Sequence, residues 1–133
     1  MPLWLIYHPP HTFTSPSSKQ ALSEDITKIY TSVGLPAFYV IVNFISVPSD
    51  STYIGGRPND SSNGHNPFIR IQVDHIAVRL KNDDAEYARV TAAIDRALNS
   101  HIADKGYDWE YHVDETERRL WKIQGLAPPP HGS

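Results

Sequence analysis

The chain has 133 residues, about 40% of them apolar and 20% charged, with a formal charge of −3 and no cysteine. That is one domain's length with enough apolar content for a core, and too little charge for wholesale disorder. The charge balance argues against a nucleic-acid partner, and the missing cysteines remove disulfides, thiolate nucleophiles and thiolate zinc sites and fit a cytoplasmic protein. No stretch reaches the ~20 apolar residues of a membrane helix, so no membrane partner is expected. The opening Met1-Pro-Leu-Trp-Leu-Ile-Tyr lacks a signal peptide's basic start.

Leu3 to Tyr7 is a short apolar and aromatic run that predicts a strand, stopped by His8-Pro-Pro-His. Ser15-Pro16 supplies an N-cap and a proline at the first helical position. Leu22, Ile26, Ile29 and Val33 then recur on one helical face, and Gly34 with Pro36 closes the helix. Phe38 to Val47, rich in β-branched and aromatic residues, predicts a strand buried on both faces. Pro48-Ser-Asp-Ser is a turn, and Thr52-Tyr-Ile-Gly-Gly the short second arm of a hairpin. Asn59 to Asn66 is a polar loop joining two halves; its Asn59-Asp-Ser sequon is taken as chance.

The pattern repeats in the second half. Phe68 to His75 predicts a strand. Asn82 or Asp83 caps a helix with Tyr87, Val90, Ile94, Ala97 and His101 on one side, and Tyr107 to Val113 predicts a last strand. From Asp114 the chain is an arm ending in Pro128-Pro-Pro-His-Gly-Ser. The expected class is α/β (α+β by some schemes). Two fused β-α-β units, residues 2–58 and 67–113, form one four-stranded, mainly parallel or mixed sheet with both helices on one face, short hairpins, and an arm over 114–133. The other face would be too apolar to stay exposed, which predicts an oligomer.

A proline directly after the initiator methionine, opening such a strand, resembles the tautomerase superfamily. Two fused units resemble its cis-3-chloroacrylic acid dehalogenase group. The matching segments are Pro2-Leu-Trp-Leu-Ile-Tyr, Ser15-Pro-Ser-Ser-Lys with Ile26-Thr27, Val42-Asn-Phe with Pro48 and Ile54-Gly-Gly, and Trp109-Glu-Tyr. Phe68-Ile-Arg-Ile-Gln-Val-Asp-His-Ile-Ala and Leu120-Trp-Lys-Ile-Gln-Gly-Leu resemble a largely fungal branch of oxalocrotonate-tautomerase-like proteins. The resemblance covers roughly residues 2–126.

It implies a homotrimer without cofactor or metal, acting on small carboxylates: 2-oxo acids, their enols, or unsaturated and halogenated acids. It makes Pro2, freed of Met1, the catalytic amine. An α-amino group titrates near pH ~8, and burial or nearby cations lower that value, so a neutral proline amine can move a proton as base and acid. Left protonated, it could donate during hydration. Tyr30 stands where the dehalogenases have a catalytic histidine, and Tyr111 where a tyrosine helps activate water; each is as readily a core aromatic with a bonded tip. Arginine's planar fork suits a carboxylate. Arg79 falls where relatives keep a substrate-binding arginine, and His75 near another. Arg57 could reach a neighbouring subunit. Arg70 either binds the ligand or pairs with Asp74 on its strand face. The water-activating glutamate of the dehalogenases has no clear counterpart, which favours an isomerase. A hydratase or dehalogenase and a non-catalytic oligomeric binding protein are the alternatives. Seven scattered histidines offer no metal-site spacing.

Overall fold

The structure, a computed structural model, describes residues 1–60, 64 and 66–128. The middle of the expected junction loop and the last five residues, with the end of the Pro-Pro-Pro run, lie outside them. Strand β1 spans Pro2–His8, helix α1 Pro16–Thr31 and strand β2 Ile41–Ser46. Two-residue strands β3 (Tyr53–Ile54) and β4 (Arg57–Pro58) follow, then β5 (Phe68–Ile76), helix α2 (Asp84–Asn99) and β6 (Asp108–Thr116). The sheet order is β2-β1-β5-β6. Each helix connects parallel neighbours, β1 to β2 and β5 to β6, while β1 and β5 meet antiparallel at the centre. The predicted mixed sheet is thus the observed one.

The helix starts are built as their sequence suggests. Ser15 caps α1, its Oγ accepting from Ser18 N at 3.1 Å with Pro16 behind it, and Asp83 caps α2. One side of β1 (Trp4, Ile6), of β5 (Ile69, Ile71, Val73), of α1 (Leu22, Ile26) and of α2 (Ile94, Leu98) is removed from solvent completely. This core lies between the sheet and both helices. The opposite sheet face carries Leu3, Leu5 and Ile41 on one half and Arg70, Gln72, Asp74, Glu110 and His112 on the other. The single chain leaves Ile41 exposed there, so β2 is not buried on both faces within one subunit.

Three local expectations are corrected. Ala37–Tyr39 is a 3₁₀ turn rather than strand, because Pro36 accepts from Tyr39 N and extended pairing begins only where Ile41 meets Leu3. Tyr53–Ile54 does not pair back onto β2. It turns forward onto Arg57–Pro58 through Gly55 and Gly56, whose φ of 58° and 80° suit a two-residue hairpin turn. Asn59, expected in an open loop, is 2% exposed. Its side chain donates to Phe68 O and accepts from Phe68 N, both at 3.0 Å, and so clasps the hairpin to β5. That amide nitrogen is buried and engaged.

Candidate active site

The central antiparallel pairing places Pro2 directly opposite His75. Pro2 faces inward with Trp4 and Ile6 because strand side chains alternate. Helix α1 runs back toward the Pro2 end of the sheet and brings Tyr30 down onto the same spot. Trp4 Nε1 donates to Tyr30 Oη at 3.0 Å, and Tyr30 Oη lies 2.7 Å from His75 Nε2. All three side chains are buried.

The proton positions follow from the chemistry of the donors. Indole N–H can only donate, so Tyr30 Oη accepts from Trp4; with the imidazole hydrogen assigned to Nδ1, the hydroxyl in turn donates to His75 Nε2. His75 Nδ1 is buried without a partner among the described residues. Burial pushes the His75 pKa below its ordinary 6.5, the N-terminal cation adding to that and Glu115 and Asp74 opposing it. Burial likewise pushes the Tyr30 phenol up, with the Trp4 bond opposing. The group is a neutral hydroxyl feeding a neutral imidazole that has one N–H left to give.

Met1 continues the β1–β5 ladder by one residue: its amine donates to Ile76 O at 2.5 Å, and its carbonyl accepts from Ile76 N at 2.9 Å. While Met1 is attached, the Pro2 nitrogen is an amide and cannot take a proton. The Met1 amine itself is held below the usual α-amino range, first by burial and then by the Arg118 guanidinium. After β5 the chain leaves through Ala77, whose φ of 66° is the left-handed conformation that alanine rarely adopts; its N–H is held by Thr116 O at 3.0 Å. That turn delivers Val78 and Leu80 to the same region.

Pro2, Tyr30 and His75 border one cavity of about 760 Å³ that runs between the two helices. Apolar side chains of α1 and α2 form its walls, and Lys28, Arg89 and Arg96 stand on its border. Lys28 pairs loosely with Asp25 at 3.7 Å and Arg89 with Glu86 at 3.6 Å, while Arg96 has no ion-pair partner among the described residues. Asp25 is the one carboxylate among the described residues that line it, and His101 Nε2 holds that carboxylate at 2.6 Å, keeping its pKa low. No group of three or more His, Cys, Asp or Glu side chains among the described residues could hold a metal ion.

The other sequence candidates lie elsewhere. Arg70 is on the opposite sheet face. It pairs with Glu110 at 3.1 Å and donates to His112 Nδ1 at 2.6 Å. Its partner is therefore not Asp74, which accepts instead from Thr116 Oγ1; the neighbouring strand offers Glu110 in direct register. Arg79 borders a separate depression with Glu115, Glu117 and Arg118. Tyr111 donates to Asp95 Oδ1 at 2.6 Å on the β6–α2 side, in a pocket distinct from that of Pro2. Arg57 belongs to the hairpin strand β4. The chain thus brings together Pro2, Tyr30 and His75 and separates Tyr111, Arg57, Arg70 and Arg79 from them. Sequence reasoning missed Trp4, Lys28, Arg89, Arg96 and Arg118. Trp4 carried a signal, since an inward-facing tryptophan needs a buried acceptor for its N–H.

The sequence matches, over residues 1–133, the model of a family described as "Putative oxalocrotonate tautomerase enzyme". The chain belongs to this family. Membership supports a tautomerase-type or related catalytic function. No curated protein matches it significantly. Among solved structures it resembles RhCC from Rhodococcus jostii RHA1, at 41% identity and a TM-score of 0.87, over 98% of this chain and 89% of that one. It also resembles a probable enzyme from the thermophilic fungus Aspergillus fumigatus, at 43% identity and a TM-score of 0.86, over 100% and 87%. N1, a member of the cis-3-chloroacrylic acid dehalogenase family, shares the fold at 14% identity and a TM-score of 0.66, over 97% and 85%. No helix among the described residues is long and apolar enough to cross a membrane.

Proposed function

We propose that this tautomerase-family chain is an isomerase that moves a proton within a small 2-oxo acid or its enol, using the amine of Pro2 after Met1 is removed. The observation that carries this reading is the shared cavity of Pro2 with the Trp4–Tyr30–His75 chain. Pro2 is buried, and burial favours the neutral amine. A neutral secondary amine takes a proton from the enol oxygen or from the carbon beside the carbonyl and returns it to the other position. His75, which lines the same cavity, is the candidate hydrogen-bond donor to the oxygen on which negative charge develops. Arg89, in the second turn of α2 and so toward the Pro2 end, meets the carboxylate.

The lining of the cavity favours isomerisation over hydration. Among the described residues that line it the carboxylate is Asp25, and His101 occupies it, so no free carboxylate among them stands ready to activate water. The open half-face bearing Leu3, Leu5 and Ile41 supports assembly as a homotrimer, read by light scattering. Arg57, Arg70, Arg79 and Tyr111 would then act from a neighbouring subunit.

The test is enol-to-keto conversion of a 2-hydroxydienoate or phenylenolpyruvate, followed by ultraviolet absorbance. It uses protein shown by intact mass to lack Met1, beside Pro2→Ala. A rate above background that falls by orders of magnitude in the variant supports the reading. Equal rates in the two proteins across several acids overturn it.

A further inference from the structure

The chain does not stop at the edge of the sheet. Strand β6 ends at Thr116, in register with Ile76, at the same end of the sheet as Pro2. By Trp121 the arm has reached Tyr39, the two rings meeting roughly edge-on with centroids 6.2 Å apart. Tyr39 leads into β2, whose Ile41 lies opposite Leu3, and β2 and β6 are the two outer strands. Three inter-strand spacings of ~4.8 Å, about 14 Å, separate them. The stretch from Thr116 to Trp121 spans at most about 18 Å when fully extended. The arm therefore has no slack for a detour and crosses the ends of β5 and β1, where residues 1 and 2 lie.

Arg118 holds this crossing together. Its guanidinium lies over the Trp121 ring, 5.8 Å from the centroid, and donates to Pro128 O at 2.5 Å. Trp121 N donates in turn to Arg118 O at 3.1 Å. The residue is half-buried, and the carboxylates of this end are engaged with other groups: Glu117 with Arg119, Glu115 with Leu80 N, and Asp74 with Thr116 Oγ1. Among the described residues Arg118 has no ion-pair partner. It borders the depression that also holds Arg79, and Val78 walls both that depression and the Pro2 cavity. Arg118 itself does not line the Pro2 cavity. A positive charge without a carboxylate partner thus stands one side chain away from the site, outside the space a ligand would fill.

We propose that Arg118 is a positioning residue of this site: the C-terminal arm, latched through it, carries a fixed positive charge across the end of β1 and sets it beside the Pro2 amine. This deepens the isomerase reading and rests on it for the role of that amine. A positive charge disfavours a second one close by, so Arg118 favours the neutral amine that can accept a proton. The amine of Met1 already feels it, being held below the ordinary α-amino range by burial first and the Arg118 guanidinium second, with Asp74 opposing. The Pro2 nitrogen lies one residue further on, within about 4 Å, so the same charge reaches it. His75, opposite Pro2, is the other titratable group at this point, and burial holds its pKa low. Arg118 touches no reacting atom; it acts through the amine.

Titration of the amine tests this without reference to turnover. Met-free protein carrying isotope-labelled proline is followed by NMR, and the Pro2 nitrogen gives the midpoint at which it takes up its proton. Arg118→Gln should raise the proton-binding constant at least about threefold, the effect of one unit charge at close range even in water's dielectric. Arg118→Glu should raise it further. Arg118→Lys, which keeps the charge, should stay within about twofold of the wild-type protein. That order reads charge, whereas lost packing alone would move all three variants alike. Melting temperatures report whether each variant folds; should Arg118→Gln fail, Arg118→Glu against Arg118→Lys decides. A wild-type constant in Arg118→Gln, or equal shifts in the charge-keeping and charge-removing variants, overturns the proposal. Ordered midpoints without Pro2-dependent turnover support the role of Arg118 and sink the isomerase reading; turnover with an unmoved midpoint in Arg118→Gln does the reverse.

Discussion

Tyr30→Phe removes one oxygen that serves two buried partners. Trp4 Nε1 donates to it and His75 Nε2 accepts from it, at 3.0 and 2.7 Å, and both partner residues are buried. The phenyl ring keeps the shape of the site, so the cost is that of two buried polar atoms left unpaired. Each is worth roughly 1–3 kcal/mol, giving a loss of about 2–6 kcal/mol for the pair. Urea denaturation should show this as a lower midpoint with an unchanged slope, since the surface exposed on unfolding is the same. A second readout follows from the His75 bond. Removal of the hydroxyl changes the immediate surroundings of the imidazole and should move the pH titration of the ring's Hε1 resonance. Turnover should fall as well, because His75 is then free to change tautomer. A stability loss below about 0.5 kcal/mol together with an unmoved His75 titration would refute the hydrogen-bond chain.

Three further outcomes are expected. His8 and His75 both have folded pKa values pushed below 6.5 by burial. Their neutral forms support folding fully above pH 6.5, and as pH falls below it the unfolded chain takes up protons that the folded chain refuses. Stability should therefore drop as pH falls below about 6.5, by up to about 1.4 kcal/mol per pH unit for each histidine. The low Asp25 pKa acts in a different window, its contribution being lost only below about its ordinary 3.8; urea midpoints across this range, with His75→Asn as the flatter control, check both. Ser15→Ala should cost about 1 kcal/mol through loss of the cap on Ser18 N, measured by thermal or urea unfolding. Arg89→Gln should raise KM roughly tenfold with kcat little changed, as for loss of one charged contact made equally in ground and transition states, measured by steady-state kinetics.

Much of the architecture was legible because it is local. The Ser15-Pro16 start of α1, the inward alternation of Pro2, Trp4 and Ile6, and the repeat of the β-α-β pattern depend on residues within a few positions of one another. Those signals carry through to the observed elements, apart from ends such as Ala37–Tyr39, where a proline tightened the backbone into a turn. The site was legible only in part. Pro2, Tyr30 and His75 were each singled out from the resemblance, yet nothing in their spacing joins positions 2, 30 and 75.

Tertiary structure decided what each candidate faces. The antiparallel pairing of the two halves sets Pro2 against His75, and the return of α1 sets Tyr30 over both. The same pairing turns Arg70 to the far face and gives it Glu110, a partner 40 residues away that strand periodicity cannot name. Arg89 and Arg96 read in sequence as ordinary exposed helix positions. They border the cavity only because α1 and α2 lie side by side with Ala93 and Ala97 between them. Backbone periodicity is written into neighbouring residues, whereas a site is made of residues distant in sequence, and only the register and packing of the folded chain bring these together.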